Sequence, residues 1–310
     1  MEKAIDRLID KIKEMNNPTV IGLDPRYEII PNCIKNKYSQ DLEGASKAII
    51  EWNKALIDNV CDIIPAVKPQ IAFYEMFGMH GMYAFEETCK YAKEKGMLVI
   101  ADMKRGDIGT TAKAYSNAAI GTTPIGDKEL SVYDADFVTV NPYLGSDGVL
   151  PFVEDCEKYG KGIFILVKTS NKSSGDLQDI VTEDGEKIYE KMAQKVNEWG
   201  KELVGKYGYS SVSAVVGATY PEQLKELRKT MPKSYFLIPG YGAQGGKAED
   251  IALGFDENGL GGIVNASRSL ICAYKSDLWK DKYNEEQFAE ATRAEAIRMR
   301  DELNAIINKK

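Results

Sequence analysis

The chain has 310 residues, 44% of them hydrophobic, and a formal net charge of −7. That length supports a large core, in one big α/β barrel or in two smaller domains. The acidic balance argues against non-specific nucleic-acid binding, which needs a basic face, and no apolar run approaches the roughly 20 residues of a membrane helix.

The opening stretch MEKAIDRLIDKIKEM places apolar residues at 4, 5, 8, 9, 12 and 15. This spacing predicts an amphipathic helix and not a signal peptide, so a cytoplasmic protein is expected. Eight β-rich runs follow, at 19–24, 66–73, 97–104, 136–141, 162–170, 212–219, 235–240 and 261–267. Amphipathic stretches lie between them, among them 42–60, 79–95, 184–204 and 221–230. Strands alternating with helices read as parallel βαβ units. Eight such strands close a (β/α)8 TIM barrel, whose typical size of about 250 residues leaves room for insertions. A doubly wound open sheet is the alternative. The polar segments 122–133 and 171–184 read as loop insertions. The stretch 284–308 reads as a long helix with an apolar stripe at Phe288, Ala296, Met299, Leu303 and Ile306. The chain has no internal repeat or interdomain linker, so residues 1–310 are expected to form one barrel domain.

In a barrel the strand C-termini form the mouth where catalytic residues collect. Asp24 ends the first strand, in VIGLDPR, and Lys68 lies in the second, in AVKPQIAFYE. The third, VIADMKRGDIGTT, is an apolar run closed by Asp102, Lys104 and Asp107. Residues two apart on a strand share a face, so Asp102 and Lys104 point one way and Ala101 and Met103 the other. The fourth strand ends at Asn141, and the fifth in Lys168, Thr169 and Ser170. The seventh runs into PGYGAQGGK and the eighth into VNASRS with Arg268.

Charges crowded at the end of a greasy strand are costly unless paired or used. An alternating Lys-Asp-Lys-Asp set is near neutral, and each carboxylate keeps its lysine charged. A lysine held as ammonium donates protons and cannot act as a Schiff-base nucleophile. The set therefore suits a reaction that builds negative charge on carbon and then protonates it. An ion-pair plug without chemistry is the alternative. The four glycines of PGYGAQGGK let backbone N–H groups approach an anion, and Gln244 and Arg268 add donors. The loop lacks the spacing of a Walker A or Rossmann fingerprint. The single histidine, His80, has no acidic neighbour in sequence, and one histidine makes a His-rich metal site impossible. The five cysteines form no CxxC pair and read as buried free thiols.

These motifs, in this order, resemble orotidine 5′-phosphate decarboxylase, in its longer bacterial branch. The DxKRxDI pattern at 102–108 is the most specific, and KPQIAFYE, VNPYLG, KTSN and PGYGAQGG add to it. The resemblance implies conversion of orotidine 5′-monophosphate to uridine 5′-monophosphate without cofactor or metal. It implies that Asp24 and Lys68 hold ribose hydroxyls, that Asp102 sits against the substrate carboxylate, and that Lys104 protonates C6. Asp107 and Thr111 would reach into the partner's site across a homodimer. Ser170 would contact the pyrimidine, and Gln244 and Arg268 the phosphate. VNASRS departs from the commoner pattern, where a shorter glycine-containing turn is frequent. Lys168 and Asn141 take no role from it, and Arg105 reads as a surface or interface ion pair. A metal-dependent sugar-phosphate enzyme of the same barrel group is the runner-up, although Lys68 stands where that branch would carry an acidic residue. A non-catalytic nucleotide sensor is the reading from another class.

Overall fold

The structure, a computed structural model, describes residues 1–241 and 247–307. Eight parallel strands close a barrel: β1 (Thr19–Leu23), β2 (Ala66–Pro69), β3 (Leu98–Arg105), β4 (Phe137–Val140), β5 (Gly162–Lys168), β6 (Ser210–Val216), β7 (Ser234–Pro239) and β8 (Gly262–Ala266). Each strand pairs with the next, and β8 pairs with β1. The barrel was expected and the open sheet is excluded. Among the described residues no helix is long and apolar enough to cross a membrane.

Alternation along the strands sorts the core into two clusters. Val20, Ala66, Leu98, Ile100, Phe137, Phe164, Leu237 and Ile263 fill the barrel interior. Their outward neighbours Ile21, Val67, Val99, Ala101, Val138, Ile163, Ile165 and Val264 pack under the helices. The N-terminal helix Ala4–Met15 joins the inner cluster through Ala4, Ile5, Leu8, Ile9 and Ile12, so it closes the barrel floor. Helix Phe288–Ile307 packs on helix Leu42–Val60 and buries Phe288, Ala296, Met299, Leu303 and Ile307. The stripe ends at Ile307, with Ile306 only half-buried.

Three local expectations change. Residues 70–73 leave the second strand, and a short helix Ala72–Glu75 begins there. The segment 122–133 holds an antiparallel hairpin, Thr123–Ile125 against Lys128–Leu130, turning at Gly126 with φ +60°. The Gly126–Asp127 pair between short strands is the signal for such a turn. Segment 171–184 contains a 3-10 turn, Lys172–Ser174, and a short helix, Gly175–Gln178. All five cysteines are free, but only Cys89 and Cys156 are buried.

Interior packing is tight where β5 begins. A Cβ built on Gly162 would lie 2.4 Å from Cε1 of Phe137 and 3.0 Å from the Ser211 carbonyl oxygen. Phe137 is fully buried, and its ring centre is 5.0 Å from that of Phe164. Gly162→Ala should therefore lower stability by about 1–3 kcal/mol through overpacking. The midpoint of thermal or urea unfolding checks this, and an unchanged midpoint would contradict it.

Candidate active site

The inward positions of the strands turn polar two residues above the apolar core. Ile100 gives way to Asp102, Phe137 to Thr139, Ala66 to Lys68, and Ile263 to Asn265. These polar residues line a cavity of about 850 Å³ at the C-terminal mouth. Arg26, Gln70, Asn141 and Ser267 line it further out.

At its base lies the Asp102 carboxylate, which accepts four hydrogen bonds. Oδ2 receives Lys68 Nζ at 2.7 Å and Gln70 Nε2 at 3.0 Å. Oδ1 receives Lys104 Nζ at 2.5 Å and Thr139 Oγ1 at 3.0 Å. Lys68 and Asp102 are buried, while the Lys104 side chain is 45% exposed and faces the cavity opening. Burial alone would push the Asp102 carboxyl up, but the Lys68 and Lys104 ammoniums outweigh it and hold the group well below the usual carboxylate range. Burial likewise opposes the charge on Lys68, yet Asp102 and Asp24 keep that lysine above its ordinary value. The base of the cavity is thus a fixed cation–anion–cation set, with Asp24 near enough to act on it.

The strand that carries Asp102 and Lys104 is not regular. Ala101 stands opposite Val138 and Arg105 opposite Val140, so three residues of β3 face the single residue Thr139. Lys104 takes a left-handed backbone with φ +48°, which costs a non-glycine residue roughly 1–3 kcal/mol. The bulge frees the backbone N–H groups of Met103 and Lys104 from the ladder. Both donate to Thr139 Oγ1, at 3.0 and 2.9 Å, and the same hydroxyl donates to Asp102. Thr139 therefore holds the bulge and the carboxylate at once. Thr139 and Gln70 were not singled out in the sequence, although Thr139 sits at an inward position of β4 and Gln70 directly follows β2.

Asp24, Lys68, Asp102, Lys104, Ser170 and Arg268 come together around one cavity, with Asn141. Oδ1 of Asp24 and Oδ1 of Asn265 are buried and have no hydrogen-bond partner among the described residues. Buried acceptors of this kind call for a donor, such as a ligand hydroxyl or water. Asp107 and Thr111 do not line the cavity. Asp107 Oδ1 accepts from the backbone N–H of Ile108 at 2.8 Å, and Thr111 is exposed on helix Gly109–Ala119. Gln244 lies outside the described residues. Arg105 pairs with Glu75 and lies over the Tyr115 ring, as a surface ion pair would. His80 sits on helix Gly78–Glu94, where its carbonyl accepts from Ser46 Oγ, and is not part of the cavity. Among the described residues no three His, Cys, Asp or Glu side chains form a metal-holding group.

Comparison with known proteins agrees with this geometry. Residues 18–277 match the model of the orotidine 5′-phosphate decarboxylase / HUMPS family. An orotidine 5′-phosphate decarboxylase of Caldicellulosiruptor bescii is 46% identical over 286 residues, covering 90% of this chain and 93% of that protein. One from Clostridium perfringens is 43% identical over 304 residues, covering 98% and 99%. The crystal structure of a putative orotidine-monophosphate decarboxylase from Toxoplasma gondii superposes with a TM-score of 0.79 at 30% identity, covering 98% of each chain.

Thr139→Val keeps the shape of the side chain and removes the hydroxyl. It should destabilise the protein by about 1–3 kcal/mol for each buried N–H left unpaired. Thr139→Ser keeps the hydroxyl and should lose about 1 kcal/mol, the worth of one buried methyl. Unfolding midpoints of the two variants check the order, and equal losses would show that the hydroxyl does not hold the bulge.

Proposed function

The chain belongs to the orotidine 5′-phosphate decarboxylase family, and from that premise we propose that it converts orotidine 5′-monophosphate to uridine 5′-monophosphate and carbon dioxide, as a step of pyrimidine biosynthesis. The Lys68–Asp102–Lys104 set, built on the buried Asp102 carboxylate, carries the reading. In the proposed complex Arg268 grips the phosphate from the outer wall, and Gln244 is a second phosphate donor. Asp24 accepts a ribose hydroxyl on its free Oδ1, Lys68 donates to the ribose, and Ser170 meets the pyrimidine. The substrate carboxylate then lies against Asp102.

The C6–carboxylate bond breaks, its electron pair stays on C6, and carbon dioxide leaves. Lys104 gives an N–H proton to C6, and the resulting amine regains a proton from solvent through its exposed side. A cation fixed where negative charge develops is the larger source of rate, because it needs no reorganisation as the charge appears. Asp102 acts twice in this scheme. It holds Lys104 in place, and its charge opposes that of the substrate carboxylate. The proton comes from a side chain, so the scheme asks nothing of a metal. Lys68 also speaks against the metal-dependent sugar-phosphate reading, because a buried ammonium occupies the place a cation would need. Binding energy at the remote phosphate can be spent on closing the site, so removing it should lower turnover as well as affinity.

We also propose that the active form is a homodimer in which Asp107 and Thr111 complete the partner's cavity. Ile108, Tyr115, Tyr143 and Leu144 support this: they are exposed apolar side chains on the segments that flank Asp107 and Thr111. A second copy covering them would remove that surface from water.

Purified protein should convert orotidine 5′-monophosphate in a spectrophotometric assay containing EDTA. Lys104→Ala should lower turnover by at least about 10²-fold while uridine 5′-monophosphate still binds. Near-normal turnover in that variant would remove Lys104 as proton donor, and loss of wild-type turnover to EDTA would favour the metal-dependent reading. Mixing inactive Lys104→Ala and Asp107→Ala subunits should restore part of the activity, since one cavity in a mixed dimer is intact. No recovery on mixing would count against shared sites.

A further inference from the structure

Lys168 is a buried charge that the proposed decarboxylation does not use. It ends β5 and is fully buried. Strict alternation from Phe164 and Leu166 would aim it into the cavity. However, Leu166 stands opposite Val215 and Lys168 opposite Val216, so β5 carries one extra residue there. That single residue reverses the facing of the strand and turns Lys168 outward. Its ammonium donates to both carboxylate oxygens of Asp179, at 2.8 and 2.9 Å, and to Ser174 Oγ at 3.4 Å. It also lies 4.7 Å from the centre of the Tyr220 ring and 5.5 Å from that of Tyr189.

Ser174 and Asp179 belong to the segment that runs from β5 to helix Ile188–Gly200. The same segment folds Gln178 back on Thr169. Gln178 Oε1 accepts from the Thr169 N–H at 3.0 Å, and its Nε2 donates to Thr169 Oγ1 at 2.7 Å. Thr169, Ser170, Leu177 and Gln178 line the cavity. An ammonium stripped of water is costly unless it is paired. Asp179 supplies the carboxylate that compensates this ammonium, so the burial of Lys168 and the placement of this wall are linked.

We propose that the Lys168–Asp179 pair is a positioning device that holds Thr169, Ser170 and Gln178 against the nucleobase of the bound nucleotide. Lys168 touches no ligand in this arrangement, and the phosphate end of the cavity does not depend on it. The assignment of a nucleobase to this wall rests on the function proposed above.

Lys168→Met keeps the length of the side chain and removes its charge. Asp179, whose side chain is 36% exposed, can then turn to water. Affinity for uridine 5′-monophosphate should fall about tenfold, the worth of one or two hydrogen bonds, while affinity for ribose 5-phosphate stays at the wild-type value. kcat/KM for orotidine 5′-monophosphate should fall about 10²-fold through misplacement of the base, and limited proteolysis should cut within 171–187 faster. Unchanged binding of uridine 5′-monophosphate would overturn the proposal. So would equal losses for both ligands, which would mean a general loosening of the barrel. If Lys168→Met does not fold, Asp179→Asn gives the same comparison. Wild-type protein that prefers uridine 5′-monophosphate over ribose 5-phosphate but decarboxylates nothing would overturn the enzyme reading alone. Wild-type protein without that preference would overturn the nucleobase wall.

Discussion

The site depends on keeping the Asp102 carboxylate ionised inside a barrel whose neighbouring layer is apolar. Water is displaced there by Phe137, Phe164 and Ile100 below, so the charge must be met by the protein itself. Two ammoniums, one amide and one hydroxyl meet it from strands β2, β3 and β4 and the residue after β2. Removing one partner of a buried pair typically costs about 3–5 kcal/mol, because the other charge is left uncompensated. The groups are therefore held together by a penalty for separation more than by their mutual attraction. A set held in this way is already oriented before a ligand arrives, as electrostatic preorganisation requires.

Strain at Lys104 follows from the same constraint. The lysine must reach Oδ1 of a carboxylate two residues before it, and a regular extended strand holds such side chains about 6–7 Å apart at their roots. At the bulge Lys104 takes a left-handed backbone, and its ammonium meets Asp102 Oδ1 at 2.5 Å. Two backbone N–H groups then lose their ladder partners, and one threonine hydroxyl takes both. Local disorder of pairing, backbone strain and a satisfied polar network are thus one arrangement. It would fail together if Thr139 lost its oxygen.

Much of this was legible in the sequence because alternation is a strong rule within a closed barrel. The strands, the floor helix and the grouping of Asp24, Lys68, Asp102, Lys104, Ser170 and Arg268 follow from residues two apart sharing a face and from the mouth collecting polar ends. Thr139 and Gln70 escaped because a threonine in a strand, or a glutamine just after one, is unremarkable until its partner is known. The hairpin at Thr123–Ile125 and Lys128–Leu130 was read as loop because its strands are short and mostly exposed, which leaves no buried periodicity to detect. Asp107 and Thr111 lie outside the cavity of a single chain, because the position expected for them is in the cavity of a second copy.

The two bulges decide which strand-end lysine faces the cavity. Between Ala101 and Arg105, β3 carries two residues more than β4. An even excess leaves the facing of the strand unchanged, so Asp102 and Lys104 still share the cavity although their backbone is not a regular strand. Between Leu166 and Lys168, β5 carries one residue more than β6. An odd excess reverses the facing, so Lys168 leaves the cavity for Asp179. Both lysines lie in the last two positions of strands of similar apolar character, and composition does not separate them. The parity of the bulge does: it sends one ammonium into the cavity and the other behind the cavity wall.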